Sequence, residues 1–216
     1  IDAELNVLLD KIKHLPMQAL ASFAEYEAGL YQQKEHVLYH VSAQYSLSIL
    51  ADTTERSPTF NVPTFEHGAQ TPAWAYMIIT DSHDKVDAWQ KLLLRAPDAL
   101  NWPDLPQTAQ SYLDEFDISA SYRGKRRDIY FNETPNGLTI QYADQTIQLD
   151  MTGLSISMRQ LLLRLIMVNH STAVFGRLGF YQGNLMTFVK PSNFKLVDRA
   201  VRYIQFLAER EYQKQL

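Results

Sequence analysis

The sequence predicts an α/β protein in which a mainly parallel sheet lies between two layers of helices, with a small antiparallel meander and two N-terminal helices added. Strand-length apolar runs alternate with helix-length patterns, which is typical of parallel α/β folds. The run at 74–80 is apolar almost throughout, as in a strand buried on both faces of a sheet. Residues 127–150 instead read as three short strands separated by turns. The 216 residues, 46% of them hydrophobic, are enough for one such domain.

The N-terminal residues predict a helical arm. Leucines at helical spacing predict a helix over residues 2–15, and Asp2 is a suitable N-cap. Pro16 suits the first position of a second helix, whose apolar positions continue to Leu30. We therefore expect a helical arm over 1–35, followed by an α/β domain over 36–216.

Strands and helices alternate through the middle of the chain. The β-rich run 36–41 predicts the first strand, followed by a turn at 42–45 and a helix at 46–56. The apolar run 74–80 predicts the next strand, and 82–95 predicts the helix after it. Shorter elements are predicted at 61–65, 99–102 and 106–116.

The meander and two further helices complete the chain. Asn136-Gly137 is a good hairpin signal within the meander, an insertion that spans about 127–150. Residues 154–178 predict a helix that is apolar on more than one side and must be buried, against the sheet or against another domain. Residues 193–210 predict an amphipathic helix with Ser192 as its N-cap.

Composition excludes several classes of protein. A net charge of −4 gives no basic field for nucleic acid, and no polybasic run indicates a membrane surface. The chain has no cysteine, which excludes disulfides, thiolate zinc sites and cysteine nucleophiles. No apolar run approaches the roughly 18 residues of a spanning helix and no signal peptide opens the chain, so a cytoplasmic location is expected. The first residue is Ile1 rather than Met, which indicates a cut or processed boundary.

Neither a cofactor nor a metal ion is expected. No dinucleotide, P-loop or hydrolase-elbow motif occurs in the chain. His36 and His40 share a strand face but stand roughly 13 Å apart by strand geometry, which is too far to hold one metal ion. Strand-edge or partly buried histidines are the favoured interpretation.

Two stretches resemble a known family. Asp52-Thr-Thr-Glu55-Arg-Ser-Pro58-Thr59-Phe60 resembles the segment that follows the phosphate loop in N-acetylmuramic acid 6-phosphate etherases. The second stretch runs from Asn169-His-Ser171-Thr172 through Gly183-Asn184-Leu-Met186 to Ser192-Asn193-x-Lys195-Leu. It is similar to the C-terminal signature of the same group of sugar-isomerase (SIS) domains, to which the second SIS domain of glucokinase regulatory protein also belongs.

The resemblance implies an SIS fold, used in tandem or dimeric pairs, and a phosphosugar ligand. In the family a loop rich in Ser, Thr and Gly holds the phosphate at a helix N-terminus, where free amides and the helix dipole favour an anion. That loop aligns with residues 41–48, which keep the hydroxyls of Ser42, Ser46 and Ser48. The loop has no glycine, and Tyr45 would crowd an anion. A loop that packs, with its serines capping the helix, is the favoured interpretation.

Glu55 and Lys195 are the other candidates for ligand binding by this resemblance. Glu55 aligns with a glutamate that acts as acid or base in the etherases, and it is the candidate catalytic residue. Lys195 resembles a lysine that reaches a phosphosugar in the regulatory protein. The etherases use a second glutamate from an acidic helix, but residues 61–73 offer only Glu66 and are too short for that helix.

Three hypotheses about function follow. The first is a phosphosugar-binding SIS module that is not catalytic, or that contributes to a site shared with a second SIS domain in tandem or in a homodimer. The second is an active etherase-like lyase or a sugar-phosphate isomerase. The third is a structural dimerisation domain, suggested by the long apolar helix. For His170 and Asn184 we expect structural hydrogen bonds rather than ligand contacts.

Overall fold

The structure, a computed structural model, describes residues 2–53, 74–95, 118–120, 126–188 and 194–213. The elements predicted at 61–65, 99–102 and 106–116 lie outside the described residues. The chain divides into two compact units, Ile1–Ala173 and Val174–Leu216. No helix among the described residues is both long enough and apolar enough to cross a membrane.

The described residues contain six helices and seven strands, which alternate only from β1 to β3. The helices are α1 (Asp2–Lys13), α2 (Met17–Gln32), α3 (Ala43–Thr53), α4 (Lys85–Leu93), α5 (Ile156–Arg177) and α6 (Phe194–Gln213). The strands are β1 (Val37–Val41), β2 (Ala75–Ile79), β3 (Arg127–Thr134), β4 (Gly137–Tyr142), β5 (Gln145–Asp150), β6 (Tyr181–Gln182) and β7 (Leu185–Met186).

One mixed five-stranded sheet organises the first unit, in the order β2-β1-β3-β4-β5. Strand β1 pairs in parallel with β2 on one side and with β3 on the other, so that Tyr39 lies opposite both Met77 and Ile129. Strands β3, β4 and β5 form the predicted antiparallel meander. The α/β class is therefore confirmed. The meander is an integral part of the main sheet, because its first strand pairs with β1 over all five residues of β1.

The two faces of the sheet differ in burial. Buried and exposed residues alternate along β3. Ile129 and Phe131 are buried, and the flanking residues Asp128, Tyr130 and Asn132 are exposed. This alternation is expected of a strand in a sheet with one solvated face. Helices α2 and α5 cover the buried face, where both contribute side chains to a cluster around Tyr39. Strand β2 is buried at all five positions, which confirms the prediction of burial on both faces for this run.

Helix α3 begins earlier than the sequence predicts. The turn predicted at 42–45 is wrong, because the helix starts at Ala43. The Ala43 amide donates to Oδ1 of Asp81 at 2.8 Å, so a carboxylate from a distant segment satisfies a free N–H of the first turn. Helix α4 starts at Lys85 because the Asp84 side chain accepts from the amides of Val86 and Asp87.

The second unit contains a small hairpin and helix α6. The turn between β6 and β7 is made by Gly183 and Asn184, and Gly183 has φ +60°, a conformation that favours glycine. The Phe180 ring contacts Phe175 and stacks on Phe188, with ring centroids 5.5 Å and 4.4 Å apart. Part of the C-terminal signature therefore shapes this hairpin.

Candidate functional site

The candidate site lies at the carboxyl ends of the parallel strands, the edge at which α/β sheets bind ligands. Ser42 follows β1 and Asp81 follows β2. Glu133 lies on β3 beyond the end of β1, because Phe131 is the residue opposite Val41. Three strands thus bring one hydroxyl and two carboxylates to the N-terminus of α3.

The two carboxylates already accept hydrogen bonds from three donors at this helix end. The Ser42 hydroxyl donates to Oε1 of Glu133, and the side-chain Nε2 of Gln44 donates to Oε2 of Glu133 at 3.3 Å. The Ala43 amide donates to Asp81, as described above. A phosphate placed here would meet two like charges, and the amide that it needs is already bonded to a carboxylate.

Lys91 is a cation close to this edge. Its ammonium group donates to the backbone oxygen of Asp81 and forms an ion pair with Asp87 at 2.9 Å. The His83 amide and Lys91 together lower the pKa of Asp87, so this carboxylate is the established partner of the lysine. The positive charge of Lys91 is therefore shared with Asp87.

Of the three candidate serines, the structure brings only Ser42 to this edge. Ser46 and Ser48 are buried within α3. Their hydroxyls donate to the backbone oxygens of Ala43 at 2.8 Å and of Gln160 at 3.0 Å. Tyr45 is also buried in the core. Most of the predicted loop is thus helix, and the Ser48 hydroxyl links α3 to α5.

The other candidate residues lie elsewhere. Glu55 and the Ser192-Asn193 pair lie outside the described residues. Lys195 is exposed in the first turn of α6, in the second unit. The contribution of Glu55 and Lys195 to ligand binding stays a prediction.

His170 has the structural role that the sequence analysis expects. Its Nε2 lies 2.8 Å from Oε2 of Glu27, and both side chains are buried. The hydroxyls of Tyr31 and Tyr39 donate to the same carboxylate at 2.5 Å and 2.7 Å. Phe23 stacks on the imidazole with ring centroids 4.0 Å apart. This cluster joins α2, β1 and α5 in the core.

His40 of β1 and His36, the residue before β1, have separate surroundings. His40 lies 2.7 Å from Oδ1 of Asp128 and stacks on Tyr130, with ring centroids 4.3 Å apart. His36 meets the ring of Tyr76 edge-on. Among the described residues, no three His, Cys, Asp or Glu side chains are placed to hold one metal ion.

A groove of about 640 Å³ opens at the β3–β4 turn. Thr139 and Gln148 of its lining pair across the strands in line with Asn132, so they lie on the opposite face of the sheet from Glu133. Its polar lining consists of hydroxyls, amides and one carboxylate, from Thr134, Asn136, Thr139, Gln148, Asp150 and Thr152. Such groups exchange hydrogen bonds with a neutral polyol and provide no cation for an anion.

Sequence reasoning missed Asp81 and Glu133. Asp81 lies two residues after the apolar strand β2, and an acid at that position is a signal for the carboxyl edge of a sheet. Glu133 has no such signal, because its place beside Ser42 depends on the parallel pairing of β1 with β3.

Comparisons with known proteins supply no relative for this chain. No protein-family model matches it, and neither does any curated protein or solved structure.

Proposed function

We propose that this chain is a sugar-binding module of the SIS type, with its helices in layers on both sides of the sheet, that performs no chemistry alone. Its ligand is a sugar phosphate whose hydroxyls lie at the carboxyl edge of β1, β2 and β3. The phosphate is held by a neighbouring SIS domain, in tandem or in a dimer. The resemblance in the C-terminal signature supports the family.

The arrangement around Ser42 carries this proposal. Carboxylates accept hydrogen bonds from sugar hydroxyls, and Asp81 and Glu133 lie at the N-terminus of α3, the end of the loop for which the resemblance implies a phosphate contact. Recognition of the sugar ring and recognition of its phosphate are therefore separated.

Isothermal titration tests the proposal with paired ligands. The probes are glucose 6-phosphate and N-acetylmuramic acid 6-phosphate, each compared with its unphosphorylated sugar. We expect this chain to bind both members of a pair with affinities within about threefold, because the proposed site makes no contact with the phosphate. A phosphate contact would be worth more than about 1 kcal/mol and would separate the two affinities further. A preference of about a hundredfold for the phosphorylated sugar would contradict the assignment.

Charge-neutral variants sharpen the test. Asp81→Asn and Glu133→Gln keep the shape of each side chain and remove the negative charge, so both are expected to raise the affinity for the sugar phosphate relative to the free sugar. Asp128→Asn, on the exposed face of β3, is the matched control and should leave the ratio unchanged. Failure of this chain to bind any of these sugars, alone or in an assembly with a second SIS domain, would reject the function.

A further inference from the structure

Strand β5 is an open edge of the five-stranded sheet. Among the described strands its only neighbour is β4. Four of its six residues have exposed side chains: Gln145, Thr146, Gln148 and Asp150. The opposite edge, β2, is partly covered, because the Ile79 amide donates to the Ile118 backbone oxygen at 2.6 Å. The two edges of the sheet therefore differ, and β5 is the accessible one.

The backbone groups of β5 alternate between the two sides of the strand. The Met151 amide donates to the Asn136 backbone oxygen at 2.8 Å and so extends the β4–β5 ladder by one pair. In antiparallel pairing every second residue exchanges both of its hydrogen bonds with the neighbouring strand. Leu149, in phase with Met151, therefore bonds to β4. Thr146 and Gln148 are out of phase and direct their N–H and C=O groups away from the sheet.

These outward backbone groups are unpaired. No residue of the described part of the chain donates to or accepts from the outward groups of Thr146 or Gln148. Residues 145–150 also lack the features with which proteins block strand addition, since they contain no proline, no lysine and no bulge in the pairing with β4. A row of alternating free donors and acceptors is the complement of another extended backbone.

We propose that β5 binds an extended segment of a partner protein, which pairs with Thr146 and Gln148 as an added antiparallel strand. Antiparallel pairing continues the arrangement of β3, β4 and β5 and is the more stable of the two directions. Side chains of the segment that lie beside Thr146 and Gln148 meet a hydroxyl and an amide, which suits threonine, a good strand former. The proposal depends on this edge alone and is independent of sugar binding.

Charge favours a segment with a basic residue at its C-terminal end. The Asp150 carboxylate is already paired with Lys11 at 2.5 Å. Asp144, in the exposed turn before β5, has no ion pair within the described residues. The C-terminal end of an antiparallel segment lies beside that turn, where Lys or Arg would pair with Asp144. A second copy of the chain fits less well, because full overlap of two antiparallel β5 strands brings Asp144 of each copy to the Asp150 end of the other.

Fluorescence anisotropy with a labelled peptide tests the added strand. The probe is Thr-Val-Thr-Val-Thr-Lys with blocked ends, used up to about 1 mM. Two further peptides carry N-methyl groups on every second residue, in the two alternate phases. The phase that removes the donors facing β5 should bind at least about tenfold more weakly, and the other phase within about threefold of the parent. No binding of the parent peptide, or equal binding of the two phases, overturns the proposal.

Variants of β5 test the same contact from the protein side. Gln148→Pro removes an outward N–H and no donor to β4, a change that edge strands tolerate, and should weaken peptide binding at least about tenfold. Gln148→Ala keeps the backbone donor and should bind within about threefold of wild type. Circular dichroism checks folding, and Thr146→Pro replaces Gln148→Pro if that variant fails to fold. Equal binding by the proline and alanine variants contradicts a backbone contact.

Hydrogen exchange measured by NMR locates the bound segment. In the free protein the amides of Thr146 and Gln148 should exchange quickly and that of Leu149 slowly, because only the last is bonded to β4. Saturating peptide should slow the exchange of the first two at least about tenfold. Amides that stay fast with the peptide bound overturn the proposal. So do amides that are already protected in the free chain by pairing of β5 with a second copy.

The basic end of the segment is tested by one change in the probe. Replacing the Lys of the peptide by Glu should weaken binding at least about threefold, and Asp144→Asn should remove most of that difference. Peptides with Lys and Glu that bind equally to the wild type would show that Asp144 takes no part in recognition.

Discussion

The Glu27 carboxylate and the His170 imidazole form a buried pair, with Oε2 and Nε2 2.8 Å apart. Tyr31 and Tyr39 donate to the same carboxylate, so three donors surround one buried acceptor. Burial, with the charge of Glu27 in second place, raises the pKa of Tyr31 and keeps its hydroxyl protonated as a donor. A single carboxylate therefore fixes the relative positions of α2, β1 and α5.

Removing this acceptor is expected to be strongly destabilising. Glu27→Leu leaves the donors of His170, Tyr31 and Tyr39 buried without an acceptor, and we expect a loss of about 3–5 kcal/mol in the free energy of unfolding. Urea denaturation measures it. Glu25→Leu, an exposed position two residues earlier on the same helix, should change stability by less than about 0.5 kcal/mol. Similar losses for both variants would show that the cluster has no special role.

Two glycines should respond to the same substitution in opposite directions. A Cβ at Gly137 would stand 2.1 Å from the Leu149 carbonyl oxygen, whereas a Cβ at Gly29 meets nothing within 4 Å. We expect Gly137→Ala to destabilise by about 2 kcal/mol or more through displacement of β4 from β5. Gly29→Ala, inside α2, should stabilise by about 0.5–1 kcal/mol. Thermal melts of the two variants measure both signs, and equal shifts would contradict the register of β4 and β5.

Local patterns predict the elements of this fold better than their pairing. The apolar run of β2 and the hairpin signal at Asn136-Gly137 are properties of a few neighbouring residues, and the strand and the hairpin are both confirmed. The turn itself lies one residue earlier than predicted, at Pro135-Asn136, because Thr134 pairs with Gly137. The start of α3 depends on Asp81, which comes from another part of the chain. Short-range periodicity carries no information on such a contact.

In the candidate site, too, one residue can be predicted from the local sequence and another depends on the pairing of distant strands. Ser42 is recognisable from the chain as a hydroxyl between a strand and a helix. The pairing of β1 with β3 brings Glu133 to it, and that pairing joins segments far apart in sequence. Residue types alone indicate a phosphate loop, whereas the assembled edge places two carboxylates at the same helix N-terminus.

The ion pair between Lys11 and Asp150 predicts a dependence of stability on pH. Lys11, followed by the Thr152 amide, holds the pKa of Asp150 well below its usual value. A depressed pKa means that the stabilisation is complete above the unfolded value of about 3.9 and is lost as the pH falls through the folded value. The difference in Tm between wild type and Asp150→Asn should therefore be constant from about pH 7 to 5 and shrink below about pH 4.

Two variants test the cause of this dependence. Lys11→Met removes the ammonium group, so the effect of Asp150→Asn on Tm should be much smaller in the Lys11→Met background than in the wild type. Asp144→Asn, in the exposed turn before β5, should leave Tm within about 1 °C of wild type at every pH. A difference between wild type and Asp150→Asn that grows toward low pH would contradict the assignment.

Leu94 ends helix α4 in a conformation that suits glycine better. Its φ of +58° is in the left-handed region, and the side chain is 90% exposed, so the residue has backbone strain without the benefit of burial. We expect Leu94→Gly to stabilise the protein by up to about 1 kcal/mol, because relief of strain exceeds the entropy lost by glycine on folding. Leu93→Gly, one residue earlier and within the helix, should destabilise by about 1 kcal/mol. Urea denaturation of the two variants compares the same Leu→Gly change in two backbone conformations. A loss of stability in both variants would show that the left-handed helix end is not formed in solution.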